Sequence, residues 1–242
     1  MHKALLDRFI NKYSLGDNVT SVVWDVKDDV LSVSFVTSDK TLLGNVVLEN
    51  FQHEDSTLGI YDTTQLTKLL GVLSDDIEFT TTTAGDKVIA VQVKDGNASV
   101  NYMLSDLSVI PTPPKMKELP DFELEVELNK TFMSRFINGK NALPEIETFS
   151  VISDGVERCN FVINYSSINT NRVTLPVDVK KSTSDMDLLS FNADLFSKVL
   201  GANRECEKGV MTISSAGLAK VEFKVDDYTA VYYLVAVQSV DW

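Results

Sequence analysis

Apolar residues recur along the chain in two rhythms. Leu5, Leu6, Phe9, Ile10 and Tyr13 follow helical spacing, as do Leu66, Leu69, Leu70 and Leu73. Phe132, Met133, Phe136 and Ile137, then Leu195, Phe196, Val199 and Leu200, repeat that spacing. These stripes predict helices over 2–13, 62–74, 129–143 and 192–204. Strict alternation in VLSVSFV (30–36), FELEVEL (122–128) and VEFKV (221–225) predicts strands. Asp95-Gly96 and Asp154-Gly155 fall between such runs and predict hairpin turns.

The pattern is written twice. RFIN stands at Arg8-Phe9-Ile10-Asn11 and again at Arg135-Phe136-Ile137-Asn138. QLTKLLG (65–71) resembles LFSKVLG (195–201), and a capping side chain precedes each, Asp62 in one and Asn192 in the other. GDKVIAVQVKDG (85–96) then lies over GLAKVEFKVDDY (217–228), and small loop insertions absorb the drift in offset. Between the copies, PTPPKMKELP (111–120) holds four of the chain's six prolines, which predicts an extended connector. The expected organisation is an N-terminal domain over 1–110, a connector over 111–120 and a C-terminal domain over 121–242. Each domain reads helix, strands, helix, strands. A helix pair on one face of an antiparallel sheet buries both rhythms, so the expected class is α+β.

Composition adds exclusions. A chain of 242 residues with 44% apolar and 24% charged residues matches an ordinary soluble protein. No run approaches the roughly 20 apolar residues a membrane span needs, and MHKALLDRFINKY lacks the apolar core of a secretory signal. Cys159 and Cys206 lie far apart and read as thiols of a reducing cytosol. A cytoplasmic location is expected, that of the host cell if the protein is viral. His2 and His53 are isolated, and Asp28-Asp29, Asp75-Asp76 and Asp226-Asp227 each sit beside a predicted turn. No phosphate-cradling glycine loop or supported Ser/His/Asp set is present. No catalysis, metal or cofactor is expected.

Charge is the feature that changes the picture. The four helical segments carry nine basic residues, Lys3, Arg8, Lys12, Lys68, Lys130, Arg135, Lys140, Lys198 and Arg204, against three acids. The chain as a whole stands at −13, so everything outside the helices stands at −19. At about 100° per residue, Arg8, Lys68, Arg135 and Lys198 point away from the apolar stripes. Their positions match between the copies, Arg8 with Arg135 and Lys68 with Lys198. Lys140 and Arg204 follow Gly139 and Gly201, where a helix can end, which leaves their direction open. Cations on a helix face can simply be solvated. Four basic helices in an acidic chain instead suit a surface that meets phosphate.

The duplicated unit, the basic helices and the proline-bearing connector resemble the DNA sliding clamps over nearly the whole chain. LGIYDTTQLTKLLGVLSDDIEF (58–79) is similar to the processivity clamps of T-even-type bacteriophages. The second half, through AVYYLVAV (230–237), is similar to proliferating cell nuclear antigen. One departure stands out: FELEVEL precedes the second RFIN, and the first RFIN has no such strand before it.

The resemblance implies the DNA clamp fold, with two similar domains per chain and a homotrimer closing into a six-domain ring. Twelve helices spaced at about 10 Å would leave a hole roughly 28 Å across, wide enough for duplex DNA. The nine helix cations would face that DNA without reading its sequence. DNA polymerase and a clamp loader would be the protein partners, without a membrane. The resemblance also implies edge-strand pairing between subunits, through Val100, Tyr102 and Leu104 of one chain and Val173, Leu175 and Val177 of the next. A partner peptide would dock on Met116, Leu119, Pro120, Ala236 and Val237, with Trp242 either anchoring the tail or shaping that pocket. The rival readings are a duplicated β-rich viral structural protein that never touches DNA, and a monomeric processivity factor.

Overall fold

A computed structural model describes residues 1–237 apart from 115, 117, 155–157, 169, 184 and 185, and apart from the side chains of 154 and 158. Trp242 and the Gly155 half of one expected turn lie outside the described residues. The chain clusters into two units. Unit 1 comprises Met1–Ser38, Gly44–Pro114 and Asp226–Ala230; unit 2 comprises Asp39–Leu43, Lys115–Val225 and Val231–Trp242.

Unit 1 runs α1 (Lys3–Ser14), β1 (Val22–Lys27), β2 (Val30–Val36), β3 (Leu42–Leu48), β4 (Ser56–Ile60), α2 (Thr63–Leu70), β5 (Glu78–Ala84), β6 (Lys87–Lys94) and β7 (Ser99–Met103). Its strands lie in the orders β4-β1-β2-β3 and β5-β6-β7. Unit 2 runs β8 (Leu124–Asn129), α3 (Lys130–Ala142), β9 (Thr148–Asp154), β10 (Arg158–Ile163), β11 (Val173–Ser182), β12 (Leu189–Asn192), α4 (Ala193–Ala202), β13 (Lys208–Ser214), β14 (Leu218–Val225) and β15 (Tyr228–Val235). Its order is β12-β9-β10-β11-β8-β13-β14-β15, with the opening residues of β15 clustering with unit 1. The element sequence of unit 1 thus recurs in unit 2 with β8 added. The described residues of 111–120 form neither helix nor strand.

The helices start where the caps place them. Asp62, Asn129 and Asn192 each accept the backbone N–H three residues on, at 2.8, 2.9 and 2.9 Å. Each bond satisfies one of the donors that a first helical turn leaves open. The helix over 62–74 is shorter than its apolar spacing suggested. It ends at Leu70, and Val72 and Leu73 donate to Leu69 and Leu70 in a tightened last turn. Helices α3 and α4 pass through Gly139 and Gly201 without ending. Asp95 closes the β6–β7 turn as expected, its carboxylate accepting from the N–H groups of Asn97 and Ala98.

Alternation in the strands turns one face of each sheet to the helices. In unit 1, Phe9 and Tyr13 of α1 pack edge-on against Trp24 of β1, with ring centroids 5.5 and 6.3 Å away. In unit 2, Phe136 of α3 and Phe196 of α4 lie 4.8 Å apart, and both meet Phe149 of β9. Burial of each such ring contributes about 1.5–3 kcal/mol. Gly139 lets α3 sit close on the sheet: a Cβ there would stand 3.0 Å from Val173 and 3.3 Å from Ile163. Both cysteines are buried thiols of unit 2, and burial pushes the Cys159 thiol up to about 12.

Candidate nucleic-acid interface and partner sites

The nine helix cations separate into groups once their surroundings are known. Lys68 of α2, Arg135 of α3 and Lys198 of α4 are exposed, and among the described residues no carboxylate pairs with them. Lys68 stands opposite the buried Leu66 and Leu70 on α2, whereas Arg135 and Lys198 stand at the flank of the buried stripes of α3 and α4, beside Phe132 and Leu195. Arg204 is exposed beyond the end of α4.

Three others are engaged at the surface. Arg8 donates to the Asp226 carboxylate at 3.0 Å, and its guanidinium lies 4.5 Å from the centroid of the Tyr228 ring. Lys3 pairs with Asp7 at 2.6 Å, and Lys130 with Glu207 at 2.9 Å. Such pairs hold weakly where solvent reaches them, most of all Lys130–Glu207.

Lys12 and Lys140 contradict the expectation that they present charge to DNA. Lys12 is 1% exposed, its ammonium 5.5 Å from the centroid of the Tyr228 ring. Lys140 is 4% exposed; its Nζ donates to the Pro144 carbonyl at 2.9 Å and lies 3.0 Å from the Asp194 carboxylate. Two residues after the Asn of RFIN, unit 1 has Tyr13 and unit 2 has Lys140. Tyr13 shares a hydrogen bond of 3.3 Å with Thr63 at the start of α2, and Lys140 meets Asp194 in the first turn of α4. In each unit this position ties the first helix to the beginning of the second. Continuation of α3 past Gly139 turns Lys140 inward.

The strand edges are available through their main chains. On β7, Leu104 N–H donates to Ile89 of β6, so by alternation Val100 and Tyr102 also direct their backbone groups at β6, and Ser99, Asn101 and Met103 direct theirs outward. The side chains of Val100 and Tyr102 are buried, and the Tyr102 hydroxyl donates to the Asp62 carbonyl at 3.2 Å. These side chains are core, which corrects their expected place at a subunit contact; Leu104 follows the strand, half-buried. Leu175 and Val177 are likewise buried, with Val173 half-buried. β10 pairs with Val173–Asp178 of β11, whereas β8 pairs with β11 only from Asp178 onward. The edge of β11 over Val173–Val177 opposite β10 therefore has no strand partner among the described residues. Pro176 lies within it, opposite Asn160.

A cavity of about 370 Å³ in unit 2 is lined by Leu189, Gly217, Ala236 and Val237, with exposed Leu188 and Val235 at its margin. Main-chain bonds shape it: Ala236 N–H donates to Gly217 at 2.8 Å and Val237 N–H to Ser190 at 2.7 Å. Met116 and Leu119 are exposed and Pro120 half-buried, and these three are not part of the cavity wall. The wall residues from β12 and the β13–β14 turn carried no motif; main-chain bonds to Ser190 and Gly217 bring them beside Ala236 and Val237.

Asp28-Asp29 and Asp226-Asp227 lie in turns, whereas Asp76 bridges to His2. Asp28 and Asp29 adopt left-handed backbone angles of φ 51° and 60° between β1 and β2, the geometry of a two-residue hairpin turn. Among the described residues no helix is long and apolar enough to cross a membrane.

No family model matches the chain, and no curated protein matches it. Among solved structures, the chain is similar to the crystal structure of Proliferating Cellular Nuclear Antigen from Entamoeba histolytica. The TM-score is 0.76 at 16% sequence identity, over 98% of this chain and 97% of that one. The likeness shows the fold: two helix-pair-on-sheet domains, as the duplicated pattern led us to expect, of the DNA clamp type that the resemblance implied.

Proposed function

We propose that the chain is a sliding clamp. Three copies close into a ring of six domains around duplex DNA, and the ring tethers a replicative DNA polymerase to its template. The observation that carries this reading is the exposed set Lys68, Arg135 and Lys198 on three helices, with no carboxylate paired to them among the described residues, in a chain whose net charge is −13. With Arg8 they form the repeat-matched set. Basic side chains attract the phosphate backbone without reading bases, so no position along the duplex is a trap. An acidic exterior repels nucleic acid from every other face.

Tethering raises processivity through effective concentration: a polymerase held to a ring that cannot leave rebinds its template before diffusing away. Closure uses the outward backbone groups of β7 in one subunit and the open Val173–Val177 edge of β11 in the next, which protects two edges that otherwise invite aggregation. The connector residues Met116, Leu119 and Pro120, with the cavity at Ala236 and Val237, receive the partner's peptide. The segment 58–79 supports a clamp of T-even bacteriophage type, working with a loader in the host cytoplasm and without catalytic activity of its own.

The test is sedimentation combined with DNA retention. The expected result is a mass of three chains, lost on Asn101→Pro, and retention on closed circles with escape from linear DNA. A monomer at every concentration overturns the ring; if that monomer still raises processivity, the non-encircling factor is correct. A trimer whose DNA binding does not respond to salt would leave the structural-protein reading.

A further inference from the structure

The two units treat one strand position differently. In unit 2, β8 lies between β11 and β13, and its Leu124, Val126 and Leu128 are buried. Its last residue, the α3 cap Asn129, pairs with Lys208. In unit 1 the α1 cap His2 forms the corresponding bridge to Asp76, and Met1 and Ile77 exchange hydrogen bonds at 2.8 and 2.9 Å. From Glu78 onward β5 pairs, among the described residues, with β6 alone.

The free edge of β5 is chemically ready for a strand. Ile77 directs both its N–H and its C=O at Met1, so by alternation Phe79 and Thr81 direct theirs at the same open side. The run Thr80–Thr83 is β-branched and carries no lysine or proline of the kind that usually blunts an edge. Beside this edge lies a cavity of about 430 Å³ with Leu5, Leu48 and Phe79 in its wall and Glu49, Glu78 and Asp227 around it. Lys94 pairs with Glu78 at 3.1 Å, and Asn50 donates to Asp227 at 3.0 Å. No lysine or arginine is among the residues lining the cavity, and the Met1 ammonium beside it donates to the Ile77 carbonyl.

We propose that the free edge of β5 and the adjoining acid-rimmed cavity of unit 1 form a strand-addition site for an extended partner segment in which apolar residues alternate with lysine or arginine. The main chain of the segment pairs with Phe79 and Thr81. Its apolar side chains enter the cavity as those of β8 enter the core of unit 2, and its cations meet Glu49, Glu78 and Asp227. The site is distinct from the Ala236–Val237 cavity and does not require the ring.

The probe is a fluorescent peptide of residues 121–129 carrying Glu125→Lys and Glu127→Lys, titrated with the full chain; the unaltered peptide is the charge control. Saturable binding is expected, at least fivefold tighter than that of the control. Thr81→Pro, which removes a donor aimed at the open side, should weaken it at least tenfold. Glu49→Gln with Glu78→Gln, which leaves the backbone intact, should weaken it at least threefold. The proposal is overturned by absence of saturation, by equal affinity for the control, or by unchanged binding to the Glu49→Gln and Glu78→Gln chain. Self-association abolished by Thr81→Pro would overturn it in favour of a second copy at this edge.

Discussion

Lys140 and Asp194 face one another across the α3–α4 pair at 3.0 Å, the ammonium buried and the carboxylate half in water. The lysine holds two helices together, using its charge where the neighbouring basic positions leave theirs exposed. Lys140→Met should therefore act on stability. It removes the donor to Pro144 and the partner of Asp194, and should cost about 1–3 kcal/mol in urea unfolding. DNA affinity should stay within twofold of the parent.

Lys68→Ala, Arg135→Ala and Lys198→Ala together should behave in the opposite way. These side chains are exposed, with no carboxylate partner among the described residues, so unfolding should change by less than about 0.5 kcal/mol for each. DNA binding should weaken, and the slope of log affinity against log salt should flatten by about 0.9 for each phosphate no longer neutralised. An unchanged slope would remove these helices from the DNA surface.

Two glycines in the helices of unit 2 should respond with opposite sign. Gly201 has open space where a Cβ would go, so Gly201→Ala should stabilise by about 0.5–1 kcal/mol through helix propensity and unfolded-state entropy. At Gly139 the new methyl meets Val173 at 3.0 Å and Ile163 at 3.3 Å. Overpacking there, at about 1–3 kcal/mol, should outweigh the propensity gain and lower the unfolding midpoint.

Asp95 supplies a pH dependence. Backbone N–H groups of Ser74, Asn97 and Ala98 hold its carboxyl down to about 2, from an ordinary 3.8. A depressed carboxylate contributes stability above its unfolded value and loses it as pH falls through the folded one. Asp95→Ala should lower the melting temperature at pH 7, and the gap from the parent should close between about pH 4 and pH 2. A gap that persists at pH 2 would assign the effect to lost packing.

Much of the fold was legible because local signals agreed. The stripe Leu6, Phe9, Ile10 and Tyr13, the caps Asp62 and Asn192, and the run Val30–Val36 all formed the elements their spacing predicts. The repeat then supplied the domain pattern. Lys140 was illegible because a helical stripe reports direction only as far as the helix runs, and Gly139 left that extent open. Tyr228, which receives Lys12, lies more than two hundred positions away in the chain. The side chains of Val100 and Tyr102 misled for a different reason: an edge strand offers its backbone sideways while its alternating side chains still serve the sheet's own core.

The distribution of sulfur has a practical consequence. Both thiols are enclosed in unit 2, and unit 1 has none. Cys159, held protonated by its surroundings, is a poor nucleophile until its shelter breaks. An alkylating reagent added to the untouched protein therefore acts as a stopwatch for the opening of one half, and the other half passes through the same experiment silent.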